Sequence, residues 1–256
     1  MNQQEQDRLQ QFEAENRNLK AALCQREEFI RCTFGRYLTD EVLEEILNSR
    51  ESLQIGGERR DVTILMSDLR RSTELSDRMD AVAFIQMLNH YLEEMIEIVN
   101  AWQGNILDFV GDSIVAVFGA PRPNESSARD AVACAVSMQR RMRAVNKWNC
   151  EQGFPELSMG IGIHTGEAIL GNIGSLTRAK YDMIGRNVNL ASRIEGFTRG
   201  GQILVSTEVL TAAGENVVEN KRGSLWVKPK GIQEEILLHD IVGFGQHILP
   251  EQTGLE

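Results

Sequence analysis

Residues 106–119, ILDFVGDSIVAVFG, leave the chain little conformational choice. A Gly-Asp pair set between two runs of apolar, β-prone residues closes as a tight hairpin, with Asp112 at its tip. What flanks this hairpin then limits the fold. Before it, residues 80–101 carry Phe84, Leu88, Tyr91, Met95 and Val99 at helical spacing and end at Gly104. After it, residues 131–148 carry Ala131, Ala135, Met138, Met142 and Val145 at the same spacing. Both segments read as helices lying on a sheet. VTILM, from Val62, and LSMGIGIHTG read as strands outside them. The order β, α, β, β, α, β predicts an α+β domain of ferredoxin-like topology, with EAILGNIG, GQILVST, GSLWVK and EEILLHDIV as further strands.

The first 33 residues follow another rule. Leu9, Asn16, Leu23 and Ile30 fall at position a of a heptad, and Phe12, Leu19 and Arg26 at position d. One amphipathic helix folded on a domain would show such a stripe, but a polar Asn at position a favours a parallel two-stranded coiled coil, where it sets register. A connector follows over 34–57, in which Thr39 or Asp40 can cap a short helix with Val42, Leu43, Ile46 and Leu47 on its apolar stripe. Gly56-Gly57 ends it. The expected organisation is therefore a coiled-coil helix over 1–33, a connector over 34–57, a catalytic-sized domain over 58–242 and a partly disordered tail over 243–256.

A formal charge of −10 argues against a general electrostatic grip on nucleic acid, so an anionic ligand needs a local counter-charge or a metal. Cys24, Cys32, Cys134 and Cys150 show no CxxC spacing and read as reduced thiols in a cytoplasmic setting. No apolar stretch approaches the length needed to span a bilayer.

Three clusters carry chemistry. Taken singly, Asp68 reads as a helix cap and Asp112 as a turn residue. Taken together, at the ends of what should be adjacent strands, they can hold Mg²⁺, which favours one or two carboxylates plus substrate phosphate oxygens. After Asp68, LRRST offers backbone N–H groups at a helix start together with Arg70, Arg71, Ser72 and Thr73, a setting suited to phosphate. In YDMIGRNVNLASRIE, Asn189 and Arg193 lie one helical turn apart and share a face, so an amide and a guanidinium could clamp a sugar oxygen and a phosphate. A solvated polar face is the alternative. His164, in GIHTG, reads as structural, and His90, His239 and His247 show no partner spacing.

VTILMSDLRRST, FVGDSIVAVFGAP, GIGIHTGEAILGNIG and YDMIGRNVNLASRIE occur in the order and at the spacing of class III nucleotidyl cyclases, and the chain resembles that catalytic domain from about Gly57 to Val242. The resemblance implies that Asp68 and Asp112 hold two Mg²⁺ or Mn²⁺ ions per site against a nucleoside triphosphate. It implies that Asn189 orients the ribose, that Arg193 stabilises charge developing on the α-phosphate, and that Lys228 in WVKPKG binds phosphate, with Lys230 the alternative. Sites in the family are shared between two catalytic domains, so a homodimer is expected, joined by the N-terminal heptads to an upstream sensor domain.

The resemblance also assigns base reading to two positions. Asp108 stands where adenylate cyclases usually have Lys and guanylate cyclases Glu, and Asp182 where adenylate cyclases have Thr or Asp and guanylate cyclases a small residue. Asp182 could accept the adenine amino group and would repel guanine O6, whereas Asp108 could accept from guanine N1–H and N2–H₂. The two positions disagree. ATP is the expected substrate and cyclic AMP the product, GTP is the alternative, and a catalytically silent dimerisation or nucleotide-sensing module is a reading of another class.

Overall fold

The computed structural model describes residues 3–35, 42–44, 54–220, 222–230 and 234–250. The chain divides into two compact units, Met1–Leu53 and Gln54–Glu256. In the first, helix α1 (Gln3–Phe34) runs as one continuous element, and the heptad residues Phe12, Leu19 and Leu23 are exposed along it. Of the connector stripe, Val42 and Leu43 are buried, while Thr39, Asp40, Ile46 and Leu47 lie outside the described residues.

The second unit is built on a sheet whose central strands follow the ferredoxin-like order. Strand β1 (Gly56–Leu69) leads through the short helix α2 (Ser72–Arg78) and helix α3 (Ala81–Ala101) to the hairpin of β2 (Asn105–Val110) and β3 (Ser113–Phe118). Helix α4 (Ser127–Gln152) then returns the chain to β4 (Met159–Ser175). The spatial order is β4-β1-β3-β2, with β1 antiparallel to both β3 and β4. Asp80 starts α3, its carboxylate accepting from the Val82 and Ala83 amides at 3.0 and 3.2 Å. Gly153, in the left-handed conformation, closes α4. Tyr91, Met95 and Val99 of α3 and Ala131, Ala135, Met138 and Val145 of α4 are fully buried against Leu65, Ala116, Ile161 and Ile163, so the helical periodicity marked the core face.

Two strand expectations change. GIGIHTG and EAILGNIG form one strand, β4, and not two. YDMIG, to which the sequence reading assigned no element, lies at the end of strand β5 (Arg178–Ile184). The free edge of β4 is used twice: residues 161–163 pair with β6 (Ile203–Ser206) in parallel, and residues 169–175 pair with β5 antiparallel. Between these partners the chain crosses the sheet as helix α5 (Arg186–Gly196). The helix fits there because β4 presents glycine: a Cβ on Gly162 would collide with the backbone of Glu195. Val62, Ile64, Ala168, Leu170, Met183 and Ala191 form a second core beneath it.

Helix α6 (Thr207–Ala213), β7 (Val217–Glu219) and β8 (Leu225–Val227) lead to β9 (Ile236–Phe244), which pairs with β6, β7 and β8. The sheet continues past Val242, because β9 reaches Phe244 and β10 (His247–Ile248) pairs back on it. No helix among the described residues is long and apolar enough to cross a membrane.

Candidate active site

Register alone brings the two hairpin-side carboxylates together. Ser67 of β1 lies opposite Ile114 of β3, so the next pair places Asp68 beside Ser113 and Leu69 beside Asp112. Gly111, with φ 66°, makes the turn that sets Asp112, half-buried, at the tip. The Leu69 amide donates to Asp112 Oδ2 at 3.1 Å, and the Ser113 hydroxyl donates to Asp68 Oδ1. Burial raises the pKa of Asp112 above the usual carboxylate value, the charge of Asp68 adds to that rise, and hydrogen bonds from Ser72 and from backbone amides oppose it. Two half-buried carboxylates that repel each other are a hard-oxygen donor set that fits Mg²⁺ or Mn²⁺ with substrate oxygens completing the shell.

After Asp68 the chain turns through Arg71, held at φ 60° and ψ 22°, into α2. Arg70 is engaged within the protein: its guanidinium pairs with Glu195, donates to Thr198 Oγ1 at 3.2 Å and lies 4.0 Å from Asp68. This arginine therefore ties the end of β1 to the end of α5. Ser72 reaches Asp112, and Thr73 is exposed one residue on.

The two proposed base positions, Asp108 and Asp182, converge on Lys180, a residue that the sequence reading passed over. Lys180 Nζ lies 2.7 Å from Asp108 Oδ2 and 3.3 Å from Asp182 Oδ2. Burial opposes its ammonium, but hydrogen bonds and charge from the two aspartates outweigh this and raise its pKa above the usual lysine value. One part of the cluster was readable: residues two apart on a strand share a face, so Lys180 and Asp182 belong together. The other part depends on an irregularity. Between Ile106 and Asp108 the β2–β3 register shifts, so that Asp108 pairs with Val115. Without this bulge, alternation would turn Asp108 toward the α3–α4 side of the sheet, the side of Ile106 and Ala116.

On α5, Asn189 is exposed and Arg193 half-buried. The start of the helix is fixed by Asn187, whose amide donates to the Glu167 carbonyl at 2.8 Å and whose Oδ1 lies 3.2 Å from His164 Nε2. Lys228 and Lys230 are exposed just after β8, and Trp226 is exposed as well. Among the described residues, no hydrogen bond or ion pair joins Asn189, Arg193 or Lys228 to Asp68 or Asp112.

The family model for the adenylate and guanylate cyclase catalytic domain matches residues 57–240. Adenylate cyclase 1 of Rhizobium meliloti (strain 1021) is 30% identical over 227 residues, covering 87% of this chain and 33% of that protein. This chain thus spans about a third of that relative's length. The crystal structure of the guanylyl cyclase Cya2 superposes with a TM-score of 0.72 at 42% identity, covering 79% of this chain and 100% of that one. That of the adenylyl cyclase CyaB from P. aeruginosa gives 0.71 at 33% identity, covering 75% and 98%. The similar chains thus include an enzyme named for each purine. Sheet order, carboxylate pair and family match agree: this chain belongs to the class III adenylate and guanylate cyclase catalytic domains.

Proposed function

We propose that the chain is an adenylate cyclase, converting ATP to 3′,5′-cyclic AMP and pyrophosphate at two composite sites of a homodimer. The observation that carries the cyclase reading is the adjacency of Asp68 and Asp112 at one end of the sheet, joined through the Leu69 amide and Ser113. In the reaction the ribose 3′-oxygen attacks the α-phosphorus, the bond to the β-phosphate oxygen breaks, pyrophosphate leaves and the hydroxyl proton passes to solvent. Asp68 and Asp112 would hold the divalent ions, whose chemistry when bound is to neutralise triphosphate charge and lower the pKa of the attacking hydroxyl. Asn189 would orient the ribose and Arg193 would meet the charge developing on the α-phosphate, one helical turn away on α5. Lys228, with Lys230 beside it, would hold the departing phosphates, and the turn at Arg71, Ser72 and Thr73 would cradle the triphosphate from the other partner.

Choice of ATP is supported by Asp182, a carboxylate suited to the adenine amino group. A guanylate cyclase is the second reading, favoured by the carboxylate at 108 and by the 42% identity to Cya2. The exposed heptad residues of α1 support a paired coiled coil that transmits a signal to the catalytic domains.

Product formation should be measured with ATP, GTP, CTP and UTP separately, in Mg²⁺ and in Mn²⁺. Cyclic AMP as the main product is expected, and cyclic GMP would replace the substrate assignment. Replacing Leu19 and Leu23 together by Asp should weaken the dimer in sedimentation and lower turnover. An unchanged dimer with unchanged turnover would remove the coiled-coil role.

A further inference from the structure

We infer that Lys180, reaching over from β5, supplies the cation that reads the purine, and that Asp108 is the anchor of that lysine and not itself the base reader. This rests on the proposed assignment of Asp108 and Asp182 to the base pocket. Stability does not account for the cluster, because the three side chains are 44%, 46% and 37% exposed and ion pairs of that exposure contribute little to folding.

Both carboxylates are aimed before any ligand arrives. Asp108 Oδ1 accepts from the Phe109 amide at 2.9 Å and Asp182 Oδ1 from the Met183 amide at 2.8 Å. Each therefore turns its Oδ2 toward the lysine, at 2.7 and 3.3 Å. An ammonium has three N–H donors, so with two engaged by the aspartates one remains for a ligand. The result is a donor beside an acceptor, Lys180 beside Asp182.

An adenine edge presents the complement, with N1 accepting and the N6 amino group donating. Guanine presents O6 as acceptor and N1–H and N2–H₂ as donors, and would need the Asp108 carboxylate for those donors. That carboxylate takes the shorter of the two lysine bonds, a charge-assisted one that guanine would have to displace. Lys180 also screens the repulsion that Asp108 would otherwise exert on adenine N1, so the mismatch between the two base positions disappears once the lysine is counted.

The test is steady-state kcat/KM for ATP and for GTP on the wild-type chain, Lys180→Met, the double variant Asp108→Lys with Lys180→Met, and Asp112→Asn as a control on the site itself. Losing a charged hydrogen bond to the base should lower kcat/KM for ATP by about 10- to 100-fold in Lys180→Met, with a smaller change for GTP. Because Nζ sits within bonding distance of residue 108, a lysine placed at 108 can bring an ammonium to the same spot. The double variant should therefore regain at least part of the ATP preference. A lysine that only props up the surface would lower both substrates equally, and an unchanged ATP-to-GTP ratio in Lys180→Met overturns the inference. A wild-type chain that prefers GTP overturns it too. Asp112→Asn separates the two levels: retained turnover there sinks the proposed site, whereas lost turnover with an unmoved Lys180→Met ratio sinks the lysine alone.

Discussion

Two pairs of aspartates stand in the proposed site, and the protein treats them in opposite ways. Asp68 and Asp112 stand at neighbouring register positions, with the Arg70 guanidinium 4.0 Å from Asp68, and that arginine is paired with Glu195. Asp108 and Asp182 are bridged by the ammonium of Lys180. Half-buried like charges cost free energy that a divalent ion recovers, which is why the first pair is the proposed metal site. The second pair carries its own cation, which is why it is proposed to meet a neutral edge of alternating donors and acceptors. Identical side chains thus acquire different chemistry from what the fold places between them.

The largest effect should come from breaking the first pair. Asp112→Asn or Asp68→Asn is expected to lower turnover by on the order of 10³-fold, since metal stabilisation of transferring phosphate is worth several kcal/mol. The thermal midpoint of the metal-free Asp112→Asn variant should stay level or rise, because the like-charge repulsion is gone while the carboxamide oxygen introduced there can still accept from the Leu69 amide. A midpoint that collapses would mean that the pair is structural. The second pair answers differently: Lys180→Met should alter which nucleotide is preferred, while both metal-site variants should slow both nucleotides alike.

A third variant tests how the two pairs are held. Gly162 lies under Glu195, the partner of Arg70 beside Asp68, whereas Lys180 and Asp182 sit on β5 ahead of the helix. Gly162→Ala forces α5 away from β4 and should cost about 1–3 kcal/mol in chemical denaturation. Turnover should fall with it while the ATP-to-GTP ratio stays put. A ratio that moves as far as in Lys180→Met would show that both pairs hang on the same helix contact.

Much of the first pair was legible in the sequence. VTILM stops at Ser67-Asp68, the hairpin turns at Gly111-Asp112, and the ferredoxin-like order makes β1 and β3 neighbours, so the carboxylates had to meet. The second pair was legible only in its members. Lys180 meets Asp108 across 72 positions, through the pairing of β5 on β4 and the bulge at Leu107 that changes the face of Asp108. Neither is written in local periodicity: β5 is exposed at Arg178, Ala179 and Lys180 and lacks an apolar run, and a bulge leaves no trace in one. The role expected of Arg70 met the same limit, since its partner Glu195 lies 125 positions away.

The smallest effect concerns His164, which reading the sequence assigned a structural role. It is buried, with Nδ1 2.8 Å from Ser206 Oγ and Nε2 3.2 Å from Asn187 Oδ1. A carboxamide oxygen only accepts, so Nε2 carries a proton, whereas the Ser206 hydroxyl accepts from Nδ1 when the ring is charged and donates to it when the ring is neutral. Burial lowers its pKa below the ordinary value, while the Asn187 contact and the charge of Glu208, 3.9 Å away, work in the opposite direction. The unfolded chain then binds the proton more readily than the folded one. The contribution of His164 is fully present above the unfolded pKa of about 6.5 and is lost as pH falls from there through the lowered folded value. A single proton limits the slope to about 1.4 kcal/mol per pH unit. Denaturation midpoints between pH 7.5 and 5 should show this acid-side loss, and His164→Gln should flatten it. Because Asn187 opens α5, acid should also loosen the helix that carries Asn189 and Arg193. Over that range kcat should decline with stability, and the preference between ATP and GTP should hold; a preference that drifts with the protonation of His164 would join the two aspartate pairs through α5 and end the separation between them.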